Sequence, residues 1–177
     1  HEGILERMGN NQDDLYIMSQ VPEHLDVHCE AFLEHPLVVL APVNHPLASE
    51  KNIPISRLAS EPFIMREPGS GTRRAVQKLF DEEEVDVKVK LELGSNEAIK
   101  QAIAGGLGIS VLSSHTLMPY AEDLTILDVE HFPIKRNWYM VYPNGKQLSI
   151  VGHTYFEYLL EAAKQFASET VVYAKSE

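Results

Sequence analysis

The stretch that most constrains this chain runs from Glu61 to Phe80: Glu-Pro-Phe-Ile-Met-Arg-Glu-Pro-Gly-Ser-Gly-Thr-Arg-Arg-Ala-Val-Gln-Lys-Leu-Phe. Phe63, Ile64 and Met65 form an apolar run short enough for a buried strand. Pro68-Gly69-Ser70-Gly71 is a turn, and Val76, Leu79 and Phe80 recur at the spacing of one helix face. A strand that ends in a glycine-rich turn opening a helix aims several backbone N–H groups at one point beyond the strand. Such a point attracts anions. Gly69 and Gly71 permit close approach of a ligand, and Ser70 and Thr72 add hydroxyl donors or cap the helix. Arg66 and Arg73 bring positive charge to the same place. A surface ion pair of either with Glu67 or another acid is the competing reading. The bland reading of the whole stretch is a structural turn.

Nucleotide motifs fit poorly. Gly69-Ser70-Gly71-Thr72-Arg73-Arg74 carries the first two glycines of a dinucleotide fingerprint but has Arg74 in the third place, and no Gly-Lys-Ser/Thr follows. Gly106-Leu107-Gly108 follows a helix and precedes a strand, the reverse of what a phosphate site needs, so it reads as packing.

A second turn repeats the first. Val87, Val89, Leu91 and Leu93 alternate with polar residues as in a half-exposed strand. Gly94-Ser95-Asn96 then opens a helix with Ala98, Ile99, Ala102 and Ile103 on one face, closed by Gly105-Gly106. Asn96 is a further candidate contact, with helix capping as its alternative.

Elsewhere the chain opens with Ile4, Leu5 and Met8 at helical spacing, followed by a strand at Leu15–Met18 that ends at Ser19-Gln20. Strands follow at Val27–Phe32, Leu37–Ala41, Gly108–Leu112, Leu124–Val129 and Trp138–Tyr142. The last helix is expected to dock through Val151, Tyr155, Tyr158, Leu159, Ala162 and Phe166. Helices alternating with strands, and breaks near Pro42 and Pro143, predict an α/β chain of two lobes. An outer lobe is expected from residues 1–43 and 142–177, and an inner lobe from 44–141. A first helix with no strand before it suggests that the chain starts inside a fold, N-terminally truncated.

With 177 residues, 44% of them hydrophobic, the chain can bury a core. The net charge of −11, from 15 Lys+Arg against 26 Asp+Glu, argues against this piece gripping a nucleic-acid backbone. The single cysteine, Cys29, excludes an internal disulfide framework and is expected to be a small buried residue in a reducing, cytoplasmic setting. No apolar run approaches the roughly 20 residues of a membrane span. There is no Gly-x-Ser-x-Gly elbow and no cysteine with a plausible base. His24 and His28 are four apart, but the second falls in an expected strand, which argues against a metal site there. No cofactor and no metal are expected.

Asp14-Leu15-Tyr16-Ile17, Pro36 to Pro42, His45-Pro46-Leu47-Ala48, Glu61-Pro62-Phe63-Ile64 and Ser95 through Ser110 together resemble the effector-binding domain of LysR-type transcriptional regulators, over about residues 3–166. Arg66 through Arg73 is most similar to the regulators of carbon-fixation and inorganic-carbon-uptake genes, the CbbR/CmpR group. The resemblance implies a two-lobed fold of periplasmic-binding-protein type, homodimers or tetramers, and DNA contact only through an N-terminal domain absent from this chain. It also implies an anionic effector held between the lobes, such as ribulose bisphosphate or 2-phosphoglycolate. By motif, its contacts would come from Ser19 and Gln20 and from Pro68, Gly69, Ser70, Gly71 and Thr72. Two other readings share the architecture, a periplasmic solute receptor and an enzyme.

Overall fold

The computed structural model describes residues 2–21, 24–117 and 122–174. In chain order the elements are helix α1 (Glu2–Gly9), strands β1 (Tyr16–Met18), β2 (Val27–Glu34), β3 (Leu37–Pro42) and β4 (Pro62–Arg66), helix α2 (Gly71–Glu82), strand β5 (Lys88–Leu93), helix α3 (Asn96–Ala104), strands β6 (Ile109–Ser113), β7 (Leu124–Leu127) and β8 (Asn137–Pro143), and helix α4 (Ile150–Ala174). They fall into two units, one running up to Glu34 and resuming at Arg136, the other covering His35–Lys135.

The continuous unit is built on a five-stranded sheet of order β5-β4-β6-β3-β7. β4 runs parallel to β5 and β6, whereas β3 pairs antiparallel with β6 and β7. β3 is Leu-Val-Val-Leu-Ala, buried on both faces, as a central strand covered on two sides must be. Its alternate residues serve two cores. Val39 packs with Phe63, Met65, Val76 and Phe80 under α2, and Val38 and Leu40 pack with Ile64, Ile99 and Ile103 under α3. Phe63 and Phe80 meet edge to face, ring centroids 5.6 Å apart. The α2 face is that expected from the spacing, and on α3 Ile99, Ala102 and Ile103 face the core as expected while Ala98 is exposed.

Gly108 makes the β4–β6 pairing possible. A methyl group there would lie 2.3 Å from the Pro62 carbonyl oxygen, so no larger residue fits without moving backbone. Ser110, buried two residues on, donates its hydroxyl to the Ile64 carbonyl at 2.6 Å.

The discontinuous unit holds a three-stranded antiparallel sheet of order β1-β8-β2. Met8 of α1 packs on Tyr16, Met18 and Val141. His28, Tyr142 and Phe156 of α4 form an aromatic cluster across the other part of the unit. The segment between α1 and β1 is tied to the start of α4. Lys146 donates to Asn11 Oδ1 and to the Asp13 carbonyl, each at 2.7 Å, and Ser149 donates to Asp14 Oδ2 at 2.5 Å.

Three expectations differ from what is observed. The units divide at His35 and Lys135, not near residues 43 and 142, because β3 pairs with β6 and β7 while β8 pairs with β1 and β2. Strand pairing at long range, not the prolines, sets the boundary. The stripe expected to dock α4 is exposed in its first half, where Val151 is 77%, Tyr158 65% and Tyr155 48% accessible, whereas Leu159, Ala162 and Phe166 are half-buried. Gly152 and Ala163 are the buried positions, with Phe156 and Leu160 half-buried between them, so over the first turns the inward face lies about one residue or 100° round the helix from the expected one. The Ser149–Asp14 bond anchors the helix start, with Gly152 lying close against both side chains. Cys29 is exposed, since it lies on β2, an edge strand of a small sheet.

Candidate functional site

β4 and β5 are parallel neighbours, each followed by a helix, so their carboxyl ends present the two glycine-serine turns side by side. In the first turn Gly69 has φ +86°, a conformation that a side chain would strain, and this lets the chain reverse into α2. The Ser70 amide is spent inside the turn, donating to the Glu67 carbonyl at 3.2 Å. Ser70 is buried and caps α2, its Oγ accepting from the Arg73 amide at 3.4 Å. That leaves its hydroxyl proton to be donated elsewhere. The amide of Thr72, in the first turn of a 12-residue helix, has no hydrogen-bond acceptor among the described residues, as an N2 position ordinarily does not. Pro68 and Gly69 are exposed at the tip.

The second turn is capped by Ser95, whose Oγ accepts from Ala98 at 3.4 Å. Asn96 is therefore the first helical residue and not the cap. Its side chain reaches back, and Oδ1 accepts from Arg66 Nη1 at 2.6 Å.

Arg66 and Arg73 link the two turns. Arg66 grips Glu67 with two parallel bonds, Nε to Oε2 at 2.7 Å and Nη2 to Oε1 at 2.8 Å. Arg73 donates to the Arg66 carbonyl at 2.9 Å and pairs with Glu92 of β5. The hydrogen bond from Arg66 holds the Glu67 carboxyl below the usual carboxylate range. Both arginines thus lie beside the turn, each already engaged with an acid. What the turn offers an incoming anion directly is backbone and hydroxyl.

Ser19 and Gln20 lie in the other unit, just past β1. Arg136 holds Ser19 there, donating from Nη2 to its carbonyl at 3.2 Å and to its hydroxyl at 3.0 Å. Sequence reasoning missed Arg136, which is 117 positions from its partner and carries no local signal. It noted Glu67 only as an ion-pair partner. Among the described residues no group of three His, Cys, Asp or Glu side chains could hold a metal ion, and no helix is long and apolar enough to cross a membrane.

Residues 1–164 match the family described as the LysR substrate binding domain. A RuBisCO operon transcriptional regulator of Acidithiobacillus ferrooxidans is 53% identical over 164 residues, which is 92% of this chain and 53% of that protein. The HTH-type transcriptional activator CmpR of Synechocystis sp. is 52% identical over 158 residues, 88% of this chain and 52% of that protein. The chain therefore spans about half the length of the curated relatives it matches. Among solved structures, the CcmR regulatory domain of Synechocystis PCC6803 in complex with 2-PG superposes with a TM-score of 0.87 at 59% identity, covering 93% of this chain and 80% of that one. The effector-binding domain of QuiR in complex with shikimate shares the fold, with a TM-score of 0.77 at 23% identity over 93% of this chain and 78% of that one.

Proposed function

The chain belongs to the LysR substrate-binding-domain family, and from that premise we propose that it is the effector-sensing part of a transcriptional regulator of carbon-fixation genes, taking a small phosphorylated anion such as 2-phosphoglycolate. The observation that carries this reading is the turn between β4 and α2. Gly69 opens it, Ser70 presents a hydroxyl proton, and the Thr72 amide and hydroxyl stand at the positive end of a helix dipole. The CcmR regulatory domain in complex with 2-PG, 59% identical, supports the choice of ligand class. The contacts proposed on this chain are Pro68, Gly69, Ser70, Gly71 and Thr72, with Arg66, Arg73 and Asn96 framing them. Ser19 and Gln20 form a second set, with Ser19 oriented by Arg136.

Sensing requires that the effector bind one arrangement of the protein more tightly than another, because equal affinity shifts no population. In the whole protein this change would be read out on DNA by a separate N-terminal domain, in a cytoplasmic homodimer or tetramer. With a net charge of −11, this chain is unsuited to hold DNA itself. The role proposed is binding without turnover, in keeping with relatives named as regulators.

Calorimetric titration with 2-phosphoglycolate, ribulose bisphosphate and 2-oxoglutarate tests the reading. The phosphorylated ligands are expected to bind. Thr72→Ala removes one hydrogen bond to a charged group, about 1.5–3 kcal/mol, and so is expected to weaken binding about 10- to 150-fold. Absence of binding by any phosphorylated ligand, or full affinity in Thr72→Ala, would count against the turn as the site.

A further inference from the structure

The acid at the anion site calls for an explanation. An anion-seeking turn gains nothing from a neighbouring carboxylate, yet Glu67 stands at the head of the turn and its carbonyl closes it. Its side chain does not point away. The carboxylate rests against the second turn, where a methyl group on Gly94 would lie 3.9 Å from Glu67 Cδ and 4.0 Å from Oε2. It is gripped there by Arg66, whose remaining Nη1 reaches Asn96. A carboxylate thus lies where the carboxyl ends of β4 and β5 converge, bound as an acidic ligand would be bound. The pair is not sealed in: the Arg66 side chain is 17% and the Glu67 side chain 39% exposed, so another anion can reach the guanidinium.

We propose that Glu67 is a specificity-determining residue of the effector site, an internal carboxylate that holds Arg66 until a phosphorylated anion takes the guanidinium over. This rests on the reading of the turn given above and adds a criterion for its ligand. A planar guanidinium accepts a carboxylate or a phosphate in the same forked geometry, and a phosphate near neutral pH carries more charge than one carboxylate. A simple carboxylic acid only exchanges like for like at Arg66 and must also approach Glu67. A phosphate ester offers the guanidinium a stronger partner and leaves Glu67 free to turn to solvent. The low proton affinity that Arg66 imposes on Glu67 agrees with a carboxylate that is charged, and so competing, throughout the neutral range.

Calorimetry with 2-phosphoglycolate and with glycolate, on the chain itself, Glu67→Gln and the double variant Glu67→Gln/Arg66→Ala, tests this. Gln keeps the shape and one acceptor but removes the charge. Glu67→Gln is expected to bind 2-phosphoglycolate about tenfold more tightly, a gain of about 1.4 kcal/mol from a removed charge near the ligand. Its preference for 2-phosphoglycolate over glycolate is expected to narrow, and the gain should vanish in the double variant, which lacks the guanidinium that the change releases. If Glu67→Gln binds 2-phosphoglycolate equally or more weakly while the unaltered chain binds it, Glu67 is a support for Arg66 and not its competitor, and this inference falls alone. If the unaltered chain binds neither compound, the effector reading falls and takes this one with it.

Discussion

Replacing Gly108 by alanine tests the join on which the site stands. β4 carries the turn, and β6 holds β4 in place through the parallel pairs Phe63–Ile109 and Ile64–Ser110. The new methyl would lie 2.3 Å from the Pro62 carbonyl oxygen, 3.0 Å from its carbonyl carbon and 3.3 Å from its Cβ. Carbon and oxygen rest near 3.3 Å or more, so the two strands must separate locally by about 1 Å, and the atom in the way is backbone that no rotamer change can clear. Overpacking costs about 1–3 kcal/mol where side chains can adjust, so a backbone obstruction belongs at about 3 kcal/mol or above. For a chain of this size about 2–4 °C of melting temperature goes with each kcal/mol, which predicts a fall of about 6–12 °C. Thermal unfolding followed by circular dichroism measures it, with Gly3→Ala as control. Gly3 lies in α1 with nothing within 4 Å of an added methyl, and the change there is expected to be neutral or to stabilise by up to about 1 kcal/mol. A melting temperature for Gly108→Ala within about 1 °C of the unaltered chain would refute the argument from close approach.

Three further outcomes are expected. Lys146→Met keeps the stem of a side chain that is only 14% exposed but strips Asn11 Oδ1 and the Asp13 carbonyl of their donor, so a loss of about 1–3 kcal/mol should appear in urea unfolding. Ser70→Ala removes the α2 cap; because the bond is long, the stability cost should sit near the low end of the capping range, about 0.5–1 kcal/mol, while affinity for 2-phosphoglycolate falls by more than that in calorimetry. The carboxyls of Glu67, hydrogen-bonded by Arg66, and of Asp14, hydrogen-bonded first by Ser149 and then by Lys146, are held below their ordinary range in the fold. A folded pKa below the unfolded one contributes stability above the unfolded value, near pH 4, that is lost as pH falls through the folded one. The melting temperature should therefore drop as pH is lowered below about 4, and less steeply in Asp14→Asn, as a series of melts across pH 3–6 would show.

The sequence by itself determined the elements and the turn. The apolar run at Phe63–Met65, the glycines at 69 and 71 and the helical spacing of Val76, Leu79 and Phe80 are local facts, and local backbone geometry needs nothing else to make a strand, a reversal and a capped helix. The second turn was legible for the same reason, although Ser95 and not Asn96 turned out to cap it. Only the tertiary structure decided which strands pair, and with that where one unit ends. Leu37–Ala41 is apolar enough for any sheet, and only contact with β6 and β7, some 70 to 90 positions further on, assigns it to one. The rotation of α4 was decided in the same way. Its apolar residues ring too much of the helix for periodicity alone to choose a face, and the inward positions are those that meet distant chain, as Phe156 meets His28 and Tyr142 and Ser149 meets Asp14 across 135 positions. So too with one pair of charges at the turn: Arg66 and Glu67 are chain neighbours whose ion pair was legible in the sequence, but the pairing of Arg73 with Glu92 depends on β4 and β5 being brought side by side. Local chemistry follows from neighbours in the chain, and partner choice from neighbours in space.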